Sequence, residues 1–190
     1  MSISLTTDHH IPVVALPTTR DAAALGDTLY RYHRQRVYGI CLRLSGGDVA
    51  WAEDAMQDVF VKLLNKVSEL EQHDDLGGWI YRVTVNTCLS KLRRQSSFRR
   101  KVALILAHDR QIDHRTPEHQ VQLQHDLTAA LTELKALPAK ERVVFCMKHL
   151  DGLPQVEIAN TLSLSEGYVS KLLTRAEQKL RERGWEVSNV

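Results

Sequence analysis

The segment LPQVEIANTLSLSEGYVSKLLTRAEQKLRER, Leu153 to Arg183, leaves few folds open. Val156, Ile158, Ala159 and Leu162 recur at helical spacing and share an inward face. Leu164 fills a tight turn between Ser163 and Ser165, and Ser165 can cap a second helix. In that helix Val169, Leu172, Leu173, Ala176 and Leu180 form one apolar face, while Glu166, Ser170, Lys171, Thr174, Arg175 and Gln178 form the other. A short helix, a tight turn and a second helix with a polar N-terminal half are what a reader of the DNA major groove needs. Lys171 and Arg175, one turn apart, can reach phosphates or guanine edges. An ordinary helical hairpin with a solvated face shares the apolar pattern. Small Ala159, the turn and the polar-face spacing together favour DNA binding.

A second segment, WIYRVTVNTCLSKLRRQSSFRRK from Trp79 to Lys101, is basic and free of acids; the acid-free interval runs from Leu76 to His108. With period two, Tyr81, Val83, Val85, Thr87 and Leu89 alternate as in an amphipathic strand. With a period near 3.6, Tyr81, Val85, Cys88, Leu89 and Leu92 make one face, and Trp79, Arg82, Asn86, Ser90 and Arg93 the opposite one. Helix is preferred, because the pattern runs to Leu92 without a turn signal and no partner strand lies nearby to satisfy its backbone groups. An aromatic ring beside cations and an amide suits nucleic acid, since bases stack on rings and phosphates meet arginine. A helix C-terminus attracting cations accounts for Lys91, Arg93 and Arg94, but not for Arg99, Arg100 and Lys101 beyond them.

A third segment, DVAWAEDAMQDVFVKLL, begins at Asp48, which can cap a helix with Val49, Ala52, Met56, Val59, Leu63 and Val67 on one face. Glu53, Asp54, Gln57, Asp58 and Lys62 face solvent, and Phe60, Val61 and Leu64 widen the apolar surface. Such a helix is either deeply buried or docked on a partner. Pro138 leads a helix through Val143, Val144, Met147 and Leu150 that Asp151-Gly152 ends; Pro154 opens the next, and Gly184 closes the last.

These marks divide the 190 residues into an N-terminal arm (1–21), a helical domain (22–97), a linker (98–122) and a second helical domain (123–186). The expected fold is all-α: two small helical domains joined by a flexible linker, the second containing the helix-turn-helix. Net charge is only +2, so anion binding must come from local clustering. Three dispersed cysteines, Cys41, Cys88 and Cys146, argue for a reducing compartment and against a disulfide scaffold or structural zinc. With no signal-peptide pattern and no apolar run able to span a bilayer, a soluble cytoplasmic chain without stable membrane insertion is expected. The usual hydrolase, phosphate-loop and zinc-protease motifs are missing and the nine histidines are scattered, so no enzyme activity, metal or cofactor is expected. A metal-dependent helical enzyme would need histidine or carboxylate pairs one turn apart on a shared face. None is convincing.

Three motifs in order resemble those of bacterial RNA polymerase sigma factors of the extracytoplasmic-function class. Asp48, Ala52-Glu53-Asp54 and Gln57-Asp58-Val59-Phe60 are similar to the helix that binds core polymerase. Trp79-Ile80-Tyr81-Arg82-Val83, Asn86 and Leu92-Arg93-Arg94 resemble the helix that melts promoters and reads the minus-ten element. Glu157-Ile158-Ala159, Leu162, Ser165, Gly167, Val169, Arg175-Ala176 and Leu180 resemble the minus-thirty-five helix-turn-helix. The likeness covers roughly Thr28 to Arg183. It implies an initiation factor that docks Asp54, Gln57, Asp58 and Phe60 on core polymerase. It places Trp79, Arg82, Asn86, Arg93 and Arg94 along the minus-ten element. It puts Ser165, Glu166, Tyr168, Ser170, Lys171, Thr174, Arg175 and Gln178 on the minus-thirty-five element. It further implies an anti-sigma partner, near Phe60 or on the second domain. Leu76-Gly77-Gly78, Ser90, Tyr168, Ser170 and Leu172 depart from the common pattern, so promoter sequence is not carried over. The competing reading is a conventional helix-turn-helix regulator that needs no core polymerase and has no use for the helix from Asp48 to Phe60.

Overall fold

The computed structural model describes residues 22–66, 75–105 and 122–185, with side chains for 26–66, 75–98 and 127–185. Seven α-helices cover most of these residues, and no strand occurs among them. In chain order they are α1 (Ala22–Ser45), α2 (Val49–Leu64), α3 (Leu76–Ile105), α4 (Gln122–Ala136), α5 (Ala139–Phe145), α6 (Gln155–Leu162) and α7 (Glu166–Arg181). A π-helical turn, Cys146–Leu150, prolongs α5.

The joint between α1 and α2 is built from local signals. Gly46 and Gly47 adopt φ of 74° and 85°, the left-handed conformation that ends a helix. The Ser45 hydroxyl donates to the Leu42 carbonyl (2.8 Å) and accepts from the Asp48 amide (3.0 Å). The Asp48 carboxylate then accepts from Trp51 N–H at 3.0 Å, satisfying an orphan donor of the first turn of α2. In α2, Ala52, Ala55, Val59, Phe60 and Leu63 are buried. Val49, expected on that face, is 53% exposed, because it opens the helix beyond the end of the core.

The basic segment, read as helix in preference to strand, is helical throughout. The Thr84 hydroxyl donates to the Ile80 carbonyl (2.8 Å) and that of Thr87 to the Val83 carbonyl (2.7 Å), so these polar β-branched residues are satisfied inside the helix. Tyr81, Val85, Cys88, Leu89 and Leu92 are buried, joined by Ile80. At the start of α3 the Asp75 carboxylate accepts from Gly78 N–H at 2.9 Å. The helix continues through Arg99, Arg100 and Lys101 to Ile105, past residue 98 where the linker was expected to begin. Residues 106–121, with His108, His114 and His119, lie outside the described residues.

In the second half, Asp151 N–H bonds back to the Cys146 carbonyl at 3.0 Å, the wide spacing of a π-turn, and Gly152 (φ 68°) ends the run. Pro154 precedes α6 as an N-cap without a side-chain bond. Between α6 and α7, Ser163 takes φ 52°, ψ 49°, and Leu164 N–H returns to the Ala159 carbonyl at 2.9 Å. The Ser165 hydroxyl accepts from Tyr168 N–H at 3.3 Å. Ile158, Ala159 and Leu162 of α6 pack on Val169, Leu172, Leu173, Ala176 and Leu180 of α7, whereas Val156, expected on the same inward face, is 47% exposed in the first turn of α6. The buried apolar residues of both halves join in one cluster.

Candidate nucleic-acid interface

Helix α7 and its cap present Ser165, Glu166, Ser170, Lys171, Thr174, Arg175 and Gln178 to solvent. Lys171 and Arg175 form no ion pair among the described residues, so their charges are available to an anion. Thr174 is tied to its own helix through the Ser170 carbonyl (3.1 Å), and Gln178 donates to Glu182 (3.0 Å). Tyr168 is half-buried, with the Lys140 ammonium 5.1 Å from its ring centroid, which adds a cation from α5 to this surface.

On α3, Arg82, Asn86, Arg93 and Arg94 are exposed and Trp79 is half-buried. The three arginines have no carboxylate partner among the described residues. Trp79, Arg82 and Asn86 line a cleft of about 540 Å³ together with Lys62, Asn65 and Lys66 from the end of α2. Those α2 residues were not among the expected DNA-facing set. The signal available was the switch along α2 from acids at Glu53, Asp54 and Asp58 to Lys62 and Lys66. The Lys62 ammonium donates to the Thr87 hydroxyl at 3.0 Å, which fixes it over the cleft wall. Aromatic surface, an amide and several cations in a cleft of this size can hold an unpaired base with its phosphate. Asn86 is engaged from outside the first half: its amide donates to the Thr161 carbonyl of α6 at 3.0 Å.

On α2, Asp54, Gln57 and Asp58 are exposed, but Phe60 is 7% exposed, with its ring edge-on to Tyr30 at 4.9 Å. Beside the acids, the apolar side chains that α2 offers to solvent are instead Val61 (57%) and Leu64 (49%), with Val49 (53%) at its start. Asp54 and Asp58 both meet Lys91 of α3. Burial alone would lower the Lys91 pKa, but hydrogen bonds and charge from the two carboxylates outweigh it and hold the amine above the usual lysine value.

A polar network absent from the expectations joins the two halves. Asp151 is 5% exposed and accepts from Arg43 (2.6 Å) and from the Tyr81 hydroxyl (2.7 Å). Burial first, then the Asp151 charge and hydrogen bond, push the Tyr81 phenol well above its ordinary range. Nothing in the sequence distinguishes Asp151 from any Asp-Gly helix stop.

No group of three or more potential metal ligands gathers among the described residues. Nor is any helix there long and apolar enough to cross a membrane.

Two family models match the chain: sigma-70 region 2 over residues 29–98 and sigma-70 region 4 over residues 134–182. The chain is 35% identical over 170 residues to the extracytoplasmic-function (ECF) RNA polymerase sigma factor SigE of Mycolicibacterium smegmatis, covering 86% of this chain and 64% of that protein. It is 31% identical over 157 residues to the probable ECF sigma factor SigI of Mycobacterium tuberculosis, covering 80% of this chain and 53% of that one. It is 25% identical to SigW of Bacillus subtilis, covering 86% of this chain and 90% of that one. The chain thus spans between about half and two thirds of the length of the first two relatives. Among solved structures, similar folds occur in the sigma factor RpoE bound to the anti-sigma factor NepR from Bartonella quintana (TM-score 0.57, 18% identity, 82% of this chain and 94% of that one). A second similar fold is CnrH with the cytosolic domain of CnrY (TM-score 0.54, 19% identity, 86% of this chain and 89% of that one).

Proposed function

Because the chain belongs to the sigma-70 family, in its extracytoplasmic-function class, we propose that it is a transcription initiation factor that binds core RNA polymerase and selects promoters. In this reading Asp54, Gln57, Asp58 and the neighbouring apolar surface of α2 dock on the polymerase, with Val61 and Leu64 taking the exposed role first expected of Phe60. Trp79, Arg82, Asn86, Arg93 and Arg94, with Lys62, Asn65 and Lys66, hold the minus-ten strand once it is unpaired. The residues from Ser165 to Gln178 read the minus-thirty-five element in the major groove.

The observation that carries the proposal is the order of the matched regions. Each contributes an exposed helix face with cations that form no ion pair among the described residues, Arg82, Arg93 and Arg94 in the first and Lys171 and Arg175 in the second. Binding, not catalysis, is the activity proposed, in the cytoplasm where the polymerase works. An anti-sigma partner is part of the proposal, since RpoE and CnrH were solved with NepR and CnrY. A regulator acting through its helix-turn-helix alone is not favoured, because a full region 2 precedes it.

Reconstitution with bacterial core polymerase tests the reading. The chain should bind core in a pull-down and direct initiation from a subset of genomic promoters. Failure of both disproves it.

A further inference from the structure

Lys140 is the second residue of α5, where the positive end of the helix dipole disfavours a cation. It forms no ion pair among the described residues. The acid beside it, Glu141, is buried and already answered by Lys179 at 2.7 Å. Neither helix electrostatics nor an internal salt bridge therefore accounts for a lysine at this place. What the ammonium does meet is the ring of Tyr168 on α7, with its centroid 5.1 Å away.

Tyr168 is the third residue of α7, half-buried and packed against the core. Its hydroxyl makes no hydrogen bond among the described residues. The ring is thus anchored from behind, and the lysine that lies against it has its charge held in one place. Gly167, one residue earlier, marks the same corner. A Cβ there would find no atom of the chain within 4 Å, and its φ is not positive, so the protein's own packing does not call for glycine. A bare backbone at that corner leaves room for a partner to come close.

In a helix-turn-helix the first residues of the second helix meet base edges, while neighbouring elements meet the DNA backbone. The major groove is about 12 Å wide, close to the roughly 10–12 Å diameter of a helix with its side chains. A cation held one aromatic ring outside such a helix stands at the wall of the groove, among phosphates and not over base edges.

We propose that Lys140 is a positioning residue for DNA: seated on Tyr168, its ammonium binds a backbone phosphate beside the element read by α7 and so fixes the depth and register of that helix in the groove. Such a contact deepens, and rests on, the function proposed above. Its ligand is the phosphate backbone, so it adds affinity for every sequence alike and discriminates among none.

The test uses the full-length chain and a fluorescent duplex enriched from a random pool by the wild type. Anisotropy across a salt series compares the wild type with Lys140→Met, Lys140→Arg and Tyr168→Leu; helix content by circular dichroism confirms folding. Lys140→Met should bind more weakly and reduce the slope of log K against log salt by about 0.9. Its deficit should then shrink about 3.5-fold between roughly 50 and 200 mM salt. The deficit should be the same on two enriched duplexes of different sequence. Lys140→Arg should restore the slope, because a guanidinium keeps both the charge and the ring contact. Tyr168→Leu should lose as much slope as Lys140→Met; if it loses its helical signal, Tyr168→Met takes its place. Weaker binding at an unchanged slope is what a structural role gives, and it overturns the phosphate contact, as does unchanged affinity. Slope lost in Lys140→Met but kept in the folded Tyr168 variant overturns the seat. A slope reduced in Lys171→Ala/Arg175→Ala but not in Lys140→Met removes this contact and leaves the proposed function standing. A pool that yields no duplex for the wild type removes the DNA-reading function, and this contact with it.

Discussion

The Lys91 ammonium of α3 lies 2.7 Å from the Asp58 carboxylate of α2 and also meets Asp54, so one cation holds two acids of the proposed polymerase-docking face side by side. The two carboxylates are 64% and 50% exposed, and solvent and salt screen the pairs. Lys91→Met should therefore lower stability by only about 1 kcal/mol or less, read as a small shift in the urea midpoint that shrinks in high salt. A loss of several kcal/mol would mean that the packing of α2 on α3, not the charges, had been disturbed.

Trp79→Ala and Asn86→Ala should impair open-complex formation while leaving core binding intact. Removing one base stack costs about 1–3 kcal/mol. Permanganate footprinting of the melted region checks this. Normal melting in both variants removes the role given to that face of α3.

Lys171→Ala with Arg175→Ala should weaken binding to an upstream duplex and reduce the slope of log K against log salt by about 0.9 for each phosphate no longer neutralised. Fluorescence anisotropy across a salt series measures it. An unchanged slope means these side chains do not meet phosphate.

Stability should fall in alkali. Burial pushes the Cys146 thiol up to about 12 from an ordinary 9.0, and raises Tyr81 further. Above about pH 9 for the thiol and pH 10 for the phenol, the unfolded chain releases these protons while the folded chain retains them, so the unfolded state gains. The contribution is intact below about pH 9 and is lost as pH climbs from there toward 12, with a slope approaching about 1.4 kcal/mol per pH unit for each group. Denaturant midpoints at pH 8 and pH 10.5 should differ in that sense, and Cys146→Ala should flatten the dependence.

Ser163 is the only non-glycine residue with positive φ among those described, at 52°. Ser163→Gly relieves a left-handed conformation that costs about 1–2 kcal/mol for an L residue, against about 0.4–1 kcal/mol of added chain entropy. A net gain of about 0.5–1 kcal/mol is expected, visible as a higher melting temperature. A lower one would show that the Ser163 side chain stabilises the turn.

What could be read in advance was local. The caps at Asp48 and Ser165 and the stops at Gly152 and Gly184 stand where their residue types require them, because each effect operates within a few residues. The inward faces of α3 and α7 follow from periodicity in the same way. For the basic segment helix was preferred but strand stayed open, because Val83, Val85 and the threonines suit either period. The packing of α1 and α2 around α3 settles it, and that is a long-range event. Phe60 reads as a surface residue until Tyr30 of α1 covers it. Lys62 and Lys66 join the α3 cleft only through the angle between two helices. Least legible was Asp151, whose Asp-Gly context looks the same whether its carboxylate meets water or, 108 residues away in sequence, Arg43.

The π-turn at Cys146–Leu150 carries one residue more per turn than the helix it prolongs, and Asp151 follows immediately. Removing a residue there would restore α-helical winding and swing the carboxylate about 100° around the axis, away from Arg43 and Tyr81. The grip of one half on the other is thus set by a count of residues as much as by their identity. A single-codon deletion would loosen it while leaving every contacting side chain unchanged.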